Sequence, residues 1–527
     1  MAASTDPIAE ITAGYTFTTP SIDLGVLIAD GTPVPATRIR LSLSMLNRHG
    51  LVAGATGTGK TRTLQLMAEQ ISRAGVSVFA ADIKGDLSGI ALPGTPSEKL
   101  LARTQAIGQD WKPEGCPTEF YSLGGQGTGV PIRATVSSFG PILLSKVLGL
   151  NETQESSLGL VFHFADTQGL PLLDIADLKQ VMMYLTSDEG KPVLKELGGL
   201  SSATVGVILR SLVTLETQGA GDFFGETEFD TRDLIRTTSD GHGVISLLEL
   251  PNLQDRPAIF STFLMWLLAD LFHDLPEIGD VDVPKLVFFF DEAHLLFDGA
   301  SKAFLDAIAQ TVRLIRSKGV GIFFVTQSPT DVPDDVLAQL GSRVQHQLRA
   351  HTPKDAKALK ATVETYPTSH YDLTETLQSL GIGEAIVTVL NPNGAPTPVA
   401  WTRMLAPLAS MSQMDPASMT QGVASSAMQS KYGQAINRDS AYEMLTRKLE
   451  EGRAKAEQEA QAAQAAKEQA KADAEAQRSQ RTSAPRTSTR PAPKSGVEKV
   501  LSSPTFWNQV IRVGGQVART FWGTARR

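Results

Sequence analysis

Apolar runs of strand length recur between residues 50 and 390 and alternate with segments of helical periodicity. The runs contain almost no polar residues, which is typical of strands that are buried on both faces of a parallel sheet. They predict strands at 50–54, 76–83, 244–250, 286–290, 321–326, 344–348 and 385–390. Helices are predicted between most of them, including 62–73, 260–272 and 304–316. This alternation predicts an α/β fold with a parallel-rich sheet.

The pattern differs at the N-terminus and in the middle of this region. Residues 1–45 are predicted to form a small β-rich region, because 11–18 and 39–43 alternate or carry β-branched residues. The main domain is predicted at 46–410. Within it, residues from about 135 to 240 have helical patterns and interrupt the strands, so they are predicted to be a helical insertion.

The C-terminal part has a different composition. Residues 411–480 are predicted to be a helical extension, because Ala, Glu, Gln and Lys dominate from residue 440 onward. Residues 481–496 are predicted to be a basic disordered linker. In the tail, 497–527, five large apolar residues follow helical spacing, which predicts an amphipathic helix that docks on a neighbouring subunit or, as second choice, on a membrane surface: Phe506, Val510, Val513, Val517 and Phe521.

Composition limits the class of protein. The 527 residues are 42% hydrophobic and 20% charged, a balance typical of globular proteins. Cys116 is the one cysteine, the first residues lack the features of a secretory signal, and no long apolar stretch appears, so a cytoplasmic protein is expected. The net charge of −8 means that any nucleic-acid contact would depend on local positive charge.

Residues 54–61 read Gly-Ala-Thr-Gly-Thr-Gly-Lys-Thr and match the phosphate-binding loop G-x-x-x-x-G-K-[ST]. A short apolar strand precedes them and a helical pattern follows. In such a loop Lys60 contacts the β/γ-phosphates of ATP, and the Thr61 hydroxyl contacts Mg²⁺. The predicted nucleotide contacts are Gly54, Ala55, Thr56, Gly57, Thr58, Gly59, Lys60, Thr61 and Arg62.

Asp291 and Glu292 follow the apolar run 286–290 and are predicted at the carboxyl edge of a buried strand. There Asp291 would hold Mg²⁺, and Glu292 would orient and polarise the water that attacks ATP. The alternative is a helix cap.

Two further polar residues end apolar strands at the same predicted edge. Gln327 is predicted to contact the γ-phosphate or the water; alternatively it opens a turn. Asp82 would orient magnesium-bound waters or Lys60, or else it supports the turn at 84–86.

With these motifs in place, the chain closely resembles bacterial HerA-like ATPases of the HerA–FtsK superfamily. The matching segments, in an order that spans about 5–410, are 47–61, 80–89, 223–226, 288–297, 312–321, 326–327 and 340–346. The resemblance implies a RecA-like fold and a homo-oligomeric ring, usually hexameric, with ATP between subunits. The N-terminal 45 residues allow only a reduced version of the β-barrel of better-known members, and no winged-helix domain is evident.

The resemblance also implies that an arginine from the neighbouring subunit stabilises the transition state. Arg316 matches this role best, and Arg48 matches a second arginine that superfamily members place near the nucleotide. Arg313 and Arg343 are the next candidates.

The leading functional hypothesis is an ATPase that drives a DNA translocase or helicase-like ring. The rival is a ring that moves or remodels protein or powers a secretion-type assembly. A regulatory ATP-binding module is disfavoured, because Lys60, Asp291 and Glu292 are all present.

Overall fold

The computed structural model describes residues 6–196, 198–250, 257–279, 281–298 and 300–482. Its strands form one mixed twelve-stranded sheet. The strands are β1 (Ser21–Ala29), β2 (Thr32–Ser42), β3 (Gly50–Ala53), β4 (Ser77–Asp82), β5 (Thr118–Leu123), β6 (Val130–Ile132), β7 (Ile245–Glu249), β8 (Leu286–Phe290), β9 (Val320–Thr326), β10 (Ser342–Gln345), β11 (Glu384–Thr388) and β12 (Ala400–Met404).

The order across the sheet is β2-β1-β12-β11-β10-β3-β9-β8-β4-β7-β5-β6. Every neighbouring pair from β10 to β6 is parallel. The four strands on the other side, β11, β12, β1 and β2, pair antiparallel. The predicted parallel-rich α/β sheet is therefore confirmed.

The central strands are buried on both faces, as their apolar sequences require. Phe288 contributes to the hydrophobic core on one face of β8, and Phe289 to the core on the other. Strand β3 packs so tightly on β9 that a Cβ atom at Gly50 would overlap the ring of Phe323. The short strand that leads into the phosphate loop is thus held firmly in the middle of the sheet.

Helices precede, separate and follow the strands along the chain. They are α1 (Pro7–Gly14), α2 (Lys60–Arg73), α3 (Glu98–Ala106), α4 (Val136–Val147), α5 (Glu152–Thr167), α6 (Ile175–Thr186), α7 (Lys191–Glu196), α8 (Ser202–Thr217), α9 (Pro257–Asp274), α10 (His294–Phe297), α11 (Lys302–Ile315), α12 (Asp334–Leu337), α13 (Pro353–Glu364), α14 (Leu373–Ser379), α15 (Pro416–Ser425), α16 (Ala427–Tyr432) and α17 (Ala441–Thr482).

The segment predicted as a helical insertion contains α4 to α8. Its buried residues, such as Val161 and Ile208, belong to the same core cluster as Phe288 of the sheet. The insertion therefore thickens one face of the α/β core.

The N-terminal prediction was wrong for residues 11–18. Asp6 accepts a hydrogen bond from the amide of Ile8 and, with Pro7, starts helix α1. Tyr15, just beyond the helix, is buried and donates its hydroxyl hydrogen to the carbonyl of Val387 at 2.9 Å. Strands β1 and β2 do form, and they extend the main sheet through the β1–β12 pairing.

The region after residue 410 begins as part of the core. Two units are distinguished, residues 1–450 and 451–527, and 451–482 is the described part of the second, all of it within α17. Tyr432 of α16 is buried and donates to a carboxylate oxygen of Asp233 at 2.6 Å. The first two residues of the predicted linker, 481–496, lie at the end of α17. From residue 483 onward, the linker and the predicted tail, 497–527, lie outside the described residues. None of the described helices is both long and apolar enough to cross a membrane.

Candidate active site

The phosphate loop connects β3 to α2 and has the conformation that its glycines predict. Gly54, Gly57 and Gly59 have φ angles of 156°, 81° and 119°, in the region that favours glycine. Helix α2 begins at Lys60, so its amino end faces the loop. The Lys60 ammonium donates to the carbonyl oxygens of Gly54 at 2.7 Å and Ala55 at 3.2 Å. The loop therefore forms a cradle closed by its own lysine.

The other predicted residues lie at the same edge of the sheet, because β3, β9, β8 and β4 are parallel neighbours. Gln327 directly follows β9, Asp291 directly follows β8, and Asp82 is the last residue of β4. The structure thus brings together a loop and three polar residues that are far apart in sequence.

Asp291 and Glu292 lie in different electrostatic surroundings although they are adjacent. Burial, reinforced by the neighbouring Glu292 charge, raises the pKa of Asp291 to about 7. Burial alone would raise the pKa of Glu292 as well, but the hydrogen bond and charge of Lys84 hold that pKa below its ordinary value. His294 Nδ1 lies 3.2 Å from the second carboxylate oxygen of Glu292. Glu292 is therefore held as a carboxylate mainly by Lys84, and its second oxygen accepts no hydrogen bond among the described residues.

The chemistry of Asp291 fits a bound magnesium ion. One carboxylate oxygen, Oδ1, accepts the Glu292 amide at 2.9 Å. The other, Oδ2, is buried and has no hydrogen-bond partner among the described residues. A buried carboxylate oxygen without a donor is costly unless a cation satisfies it. Thr61, at the start of α2, supplies the second predicted ligand.

Asp82 supports a turn, which was the alternative to its predicted role at the nucleotide. Its carboxylate accepts backbone amides from Gly85 at 2.7 Å, Asp86 at 3.2 Å and Leu87 at 2.7 Å. Both oxygens are used in this way, so the side chain fixes the path of the chain after β4.

Gln327 is exposed and lines a cavity of about 390 Å³ beside the phosphate loop. Ala55 and Thr56 line the same cavity. The preceding residue, Thr326, donates to Asp331 at 2.8 Å and fixes the turn that presents Gln327. Its position is thus compatible with a contact to the outer phosphates.

Arg48 and Arg316 lie at the opposite edge of the sheet. Arg48 comes just before β3, and Arg316 lies in the short connection before β9. His49 lies between Arg48 and β3; burial lowers its pKa, and the charges of Arg316 and Arg48 lower it further. The four residues of β3 span about 13 Å, so the sheet separates both arginines from the phosphate loop of their own chain.

The two other candidate arginines have different surroundings. Arg313 is exposed on α11. Arg343, in β10, donates to the carbonyl oxygen of Thr365 at 3.3 Å, and its guanidinium carbon lies 5.9 Å from the centre of the Tyr366 ring. These contacts give Arg343 a structural role at the end of α13.

Comparison with known families decides the classification. A family profile described as "Helicase HerA-like C-terminal" matches residues 29–527. The chain belongs to the HerA-like family. No curated protein matches the sequence of this HerA-like protein.

Solved structures share its fold at low sequence identity. The unbound bacterial conjugative coupling protein TrwB, lacking 70 N-terminal residues, has a TM-score of 0.51 and 13% identity over 78% of this chain and 94% of its own. TrwB in complex with a non-hydrolysable ATP analogue gives a TM-score of 0.50 and 15% identity over the same shares. VirB4 of Thermoanaerobacter pseudethanolicus gives 0.44 and 14% over 77% and 100%. The TrwB match confirms the predicted RecA-like P-loop fold.

Sequence reasoning missed a buried histidine that supports the loop of the HerA-like protein. His346 Nε2 lies 2.9 Å from the hydroxyl of Thr63 in the first turn of α2, and its Nδ1 lies 2.8 Å from the carbonyl oxygen of Glu384. A Cβ atom at Gly54 would overlap the His346 side chain. The residue was visible only as part of the matching segment 340–346, because its partners are far away in sequence.

Two cations near the loop were also missed. Arg349 donates to the carbonyl oxygen of Thr56 at 3.4 Å, and Lys354 at the start of α13 lines the same cavity as Gln327. Neither belongs to a recognisable motif. The one available signal was that Arg349 closely follows β10, a strand that ends at the same edge as β3.

Replacing His49 with asparagine is expected to reduce the loss of stability in mild acid. Burial, reinforced by Arg316 and Arg48, lowers the pKa of His49 to about 4. As the pH falls, the imidazole therefore binds a proton in the unfolded chain before it does so in the folded protein. The contribution of neutral His49 to the free energy of unfolding is fully present above pH 6.5 and is lost as the pH falls towards 4. Between pH 7 and pH 5 the wild-type protein should lose about 2 kcal/mol through this residue.

The asparagine variant keeps the local structure. The backbone at residue 49 has φ 60° and ψ 171°, a region that strains any residue with a Cβ atom, so asparagine bears the same backbone cost as histidine. Asparagine offers an oxygen in place of Nδ1, which accepts the Ile322 amide at 3.1 Å. Denaturant unfolding at pH 5 and pH 7 measures the effect. The exposed residue His163 provides the control, because His163→Asn should leave the pH dependence unchanged. Parallel pH profiles for wild type and the His49 variant would contradict the prediction.

Proposed function

We propose that this HerA-like protein binds ATP with Mg²⁺ and hydrolyses it to ADP and phosphate, as the motor of a ring of identical subunits that moves along DNA. The main support for ATP hydrolysis is that the phosphate loop, Asp291 and Glu292 lie together at one edge of the sheet. The match of the TrwB fold, including a form that binds an ATP analogue, supports nucleotide binding.

Each residue has a distinct task in this proposal. The loop amides and Lys60 hold the phosphates; the Lys60 ammonium exchanges its two loop carbonyls for phosphate oxygens. Thr61 and Asp291 would hold Mg²⁺, which supplies neutralising charge to the phosphate oxygens when it is bound. Glu292 orients a water and accepts its proton, and Gln327 contacts the outer phosphate or that water.

The arginines complete the site from a neighbouring subunit. Because Arg48 and Arg316 lie across the sheet from their own loop, they are placed to serve a loop on another chain when subunits pack edge to edge. Each such contact is heterologous, and repeated contacts of this kind close into a ring, for which we propose six subunits. We propose that this ring works in the cytoplasm.

DNA is the proposed polymer because the matching family profile is described as a helicase. Duplex DNA is therefore expected to raise the ATPase rate several-fold, and the stimulation should fall steeply with rising salt, because phosphate contacts release bound counterions. Steady-state ATPase assays with duplex DNA, single-stranded DNA and RNA across a salt series measure this. The Lys60→Ala variant provides the background rate.

The net charge of −8 favours a second candidate, a ring that moves or remodels protein or powers a secretion-type assembly. That candidate predicts an ATPase rate which no nucleic acid changes at any salt concentration. Such a result would reject DNA as the partner and leave the ATPase assignment intact.

A further inference from the structure

One oxygen of the Glu292 carboxylate is held by a basic side chain. The Lys84 ammonium forms an ion pair and hydrogen bond with Oε1, whereas Oε2, 3.2 Å from His294 Nδ1, accepts no hydrogen bond among the described residues. The Lys84 charge also makes the whole carboxylate a weaker proton acceptor. Only 5% of the Glu292 side chain is exposed. An oxygen that accepts a charge-assisted hydrogen bond from an ammonium is a poor acceptor for a water proton. The group proposed to activate water is therefore restrained by Lys84.

The backbone of Glu292 shows that the residue is held in an unusual conformation. Its φ angle is 47°, in the left-handed region that non-glycine residues seldom adopt. Such conformations persist where surrounding contacts fix them, and they often occur at residues that switch between two arrangements. The Lys84 contact is one of those fixing contacts.

Lys84 has a backbone that is fixed in a turn and a side-chain ammonium that can move. It lies in the turn after β4, whose amides at Gly85, Asp86 and Leu87 are all bound by Asp82. Its long side chain is 40% exposed. Rotation about the side-chain bonds can therefore move the ammonium without disturbing the turn.

A second acceptor lies in the same turn. Asp86 Oδ1 is buried and has no hydrogen-bond partner among the described residues. Burial raises the pKa of two further carboxyl groups, Asp82 and Glu249, and the charge of Asp86 raises the pKa of each further. An ammonium that moved to Asp86 would satisfy this oxygen and reduce the repulsion among the three acids.

We infer that Lys84 is a positioning residue that switches between Glu292 and Asp86. Paired with Glu292, it occupies Oε1 and makes the carboxylate a weaker acceptor for the water proton; paired with Asp86, it leaves both oxygens available. The inference rests on the proposed ATPase function and adds a restraint on the timing of hydrolysis to it.

Single-turnover hydrolysis by the full-length protein tests the switch, because product release does not mask the chemical step. Lys84→Met should raise the rate about fivefold, with little change in ATP affinity, because Glu292 is freed. Asp86→Asn should lower the rate by a similar factor, because the competing acceptor loses its charge. The double variant should behave like Lys84→Met, since Asp86 acts only through Lys84.

Two matched variants serve as controls. Lys84→Arg keeps the charge and should restore a rate near that of the wild type. Lys112→Met removes a lysine that also pairs with a carboxylate, that of Asp110 at 2.7 Å, but is exposed away from the site. It should leave the rate unchanged. A rate that falls in Lys84→Met, or that responds to Asp86→Asn equally with and without Lys84, would overturn the switch.

Failure of the proposed function would look different. If Glu292→Gln turned over at the wild-type rate, the role of Glu292 would be wrong whatever Lys84 did. A thermal double-mutant cycle between Lys84→Met and Glu292→Gln tests the pair without turnover. Non-additive shifts in Tm are expected, and additive shifts would overturn the restraint even in a protein that hydrolyses nothing.

Discussion

Replacing Glu292 with glutamine is expected to lower ATP turnover by about 10²–10⁴-fold, the usual contribution of a general base. Glutamine keeps the size and one oxygen of the side chain but cannot accept the proton of the attacking water. Nucleotide binding should persist, because the loop and Lys60 are unchanged. Steady-state turnover and binding of a fluorescent ATP analogue measure the two effects separately.

Two comparisons make this result specific. Lys60→Ala should lose nucleotide binding itself, because the charge that faces the β/γ-phosphates is gone. Glu375→Gln, on the exposed side of α14, changes the same functional group elsewhere and should leave both quantities unaltered. Wild-type turnover by the Glu292 variant would refute the assignment of the base.

Mixing two inactive variants, Arg316→Ala and Lys60→Ala, is expected to restore part of the activity. Each variant alone lacks one group at every interface, and an arginine of this kind contributes about 10³–10⁵-fold in P-loop GTPases. In a ring assembled at random from equal amounts of the two variants, about a quarter of the interfaces combine an intact Lys60 with an intact Arg316 from the neighbour. ATPase activity measured against the mixing ratio should therefore pass through a maximum.

The mixture needs proof that mixed rings form, which co-purification of differently tagged subunits provides. Arg313→Ala, one helical turn earlier and exposed, tests whether the effect belongs to Arg316. If confirmed mixed rings remain inactive at every ratio, Arg316 does not act on a neighbouring site.

The central strands could be predicted from sequence because burial on both faces requires unbroken apolar runs. For β8 the predicted and observed bounds coincide, and for β9 they differ by one residue. Strands β5, β6 and β12 were missed, since they are short or carry polar residues, as in the alternating burial of β12. Residues 11–18 were misassigned because β-branched and aromatic residues outweighed the helix start at Asp6.

Some residues of the candidate site could also be predicted from sequence, and others could not. The phosphate loop is one contiguous segment, and Asp291 and Glu292 are adjacent residues. Each could therefore be predicted from its local sequence pattern. Lys84 and His346 escaped prediction because their roles depend on contacts across 208 and 283 residues, which only the fold reveals.

Strand β3 has a consequence for communication between subunits. It is four buried residues long, is hydrogen-bonded on both sides and packs too closely on β9 to admit a side chain at Gly50. One end carries the phosphate loop, and Arg48 precedes the other. In the proposed ring, the short and rigid strand β3 of each subunit would therefore connect its own nucleotide site to the nucleotide site that its Arg48 serves on the neighbour. A movement of the phosphate loop on hydrolysis would displace Arg48 at the next site by a similar distance. This coupling favours hydrolysis of ATP by one subunit after another around the ring.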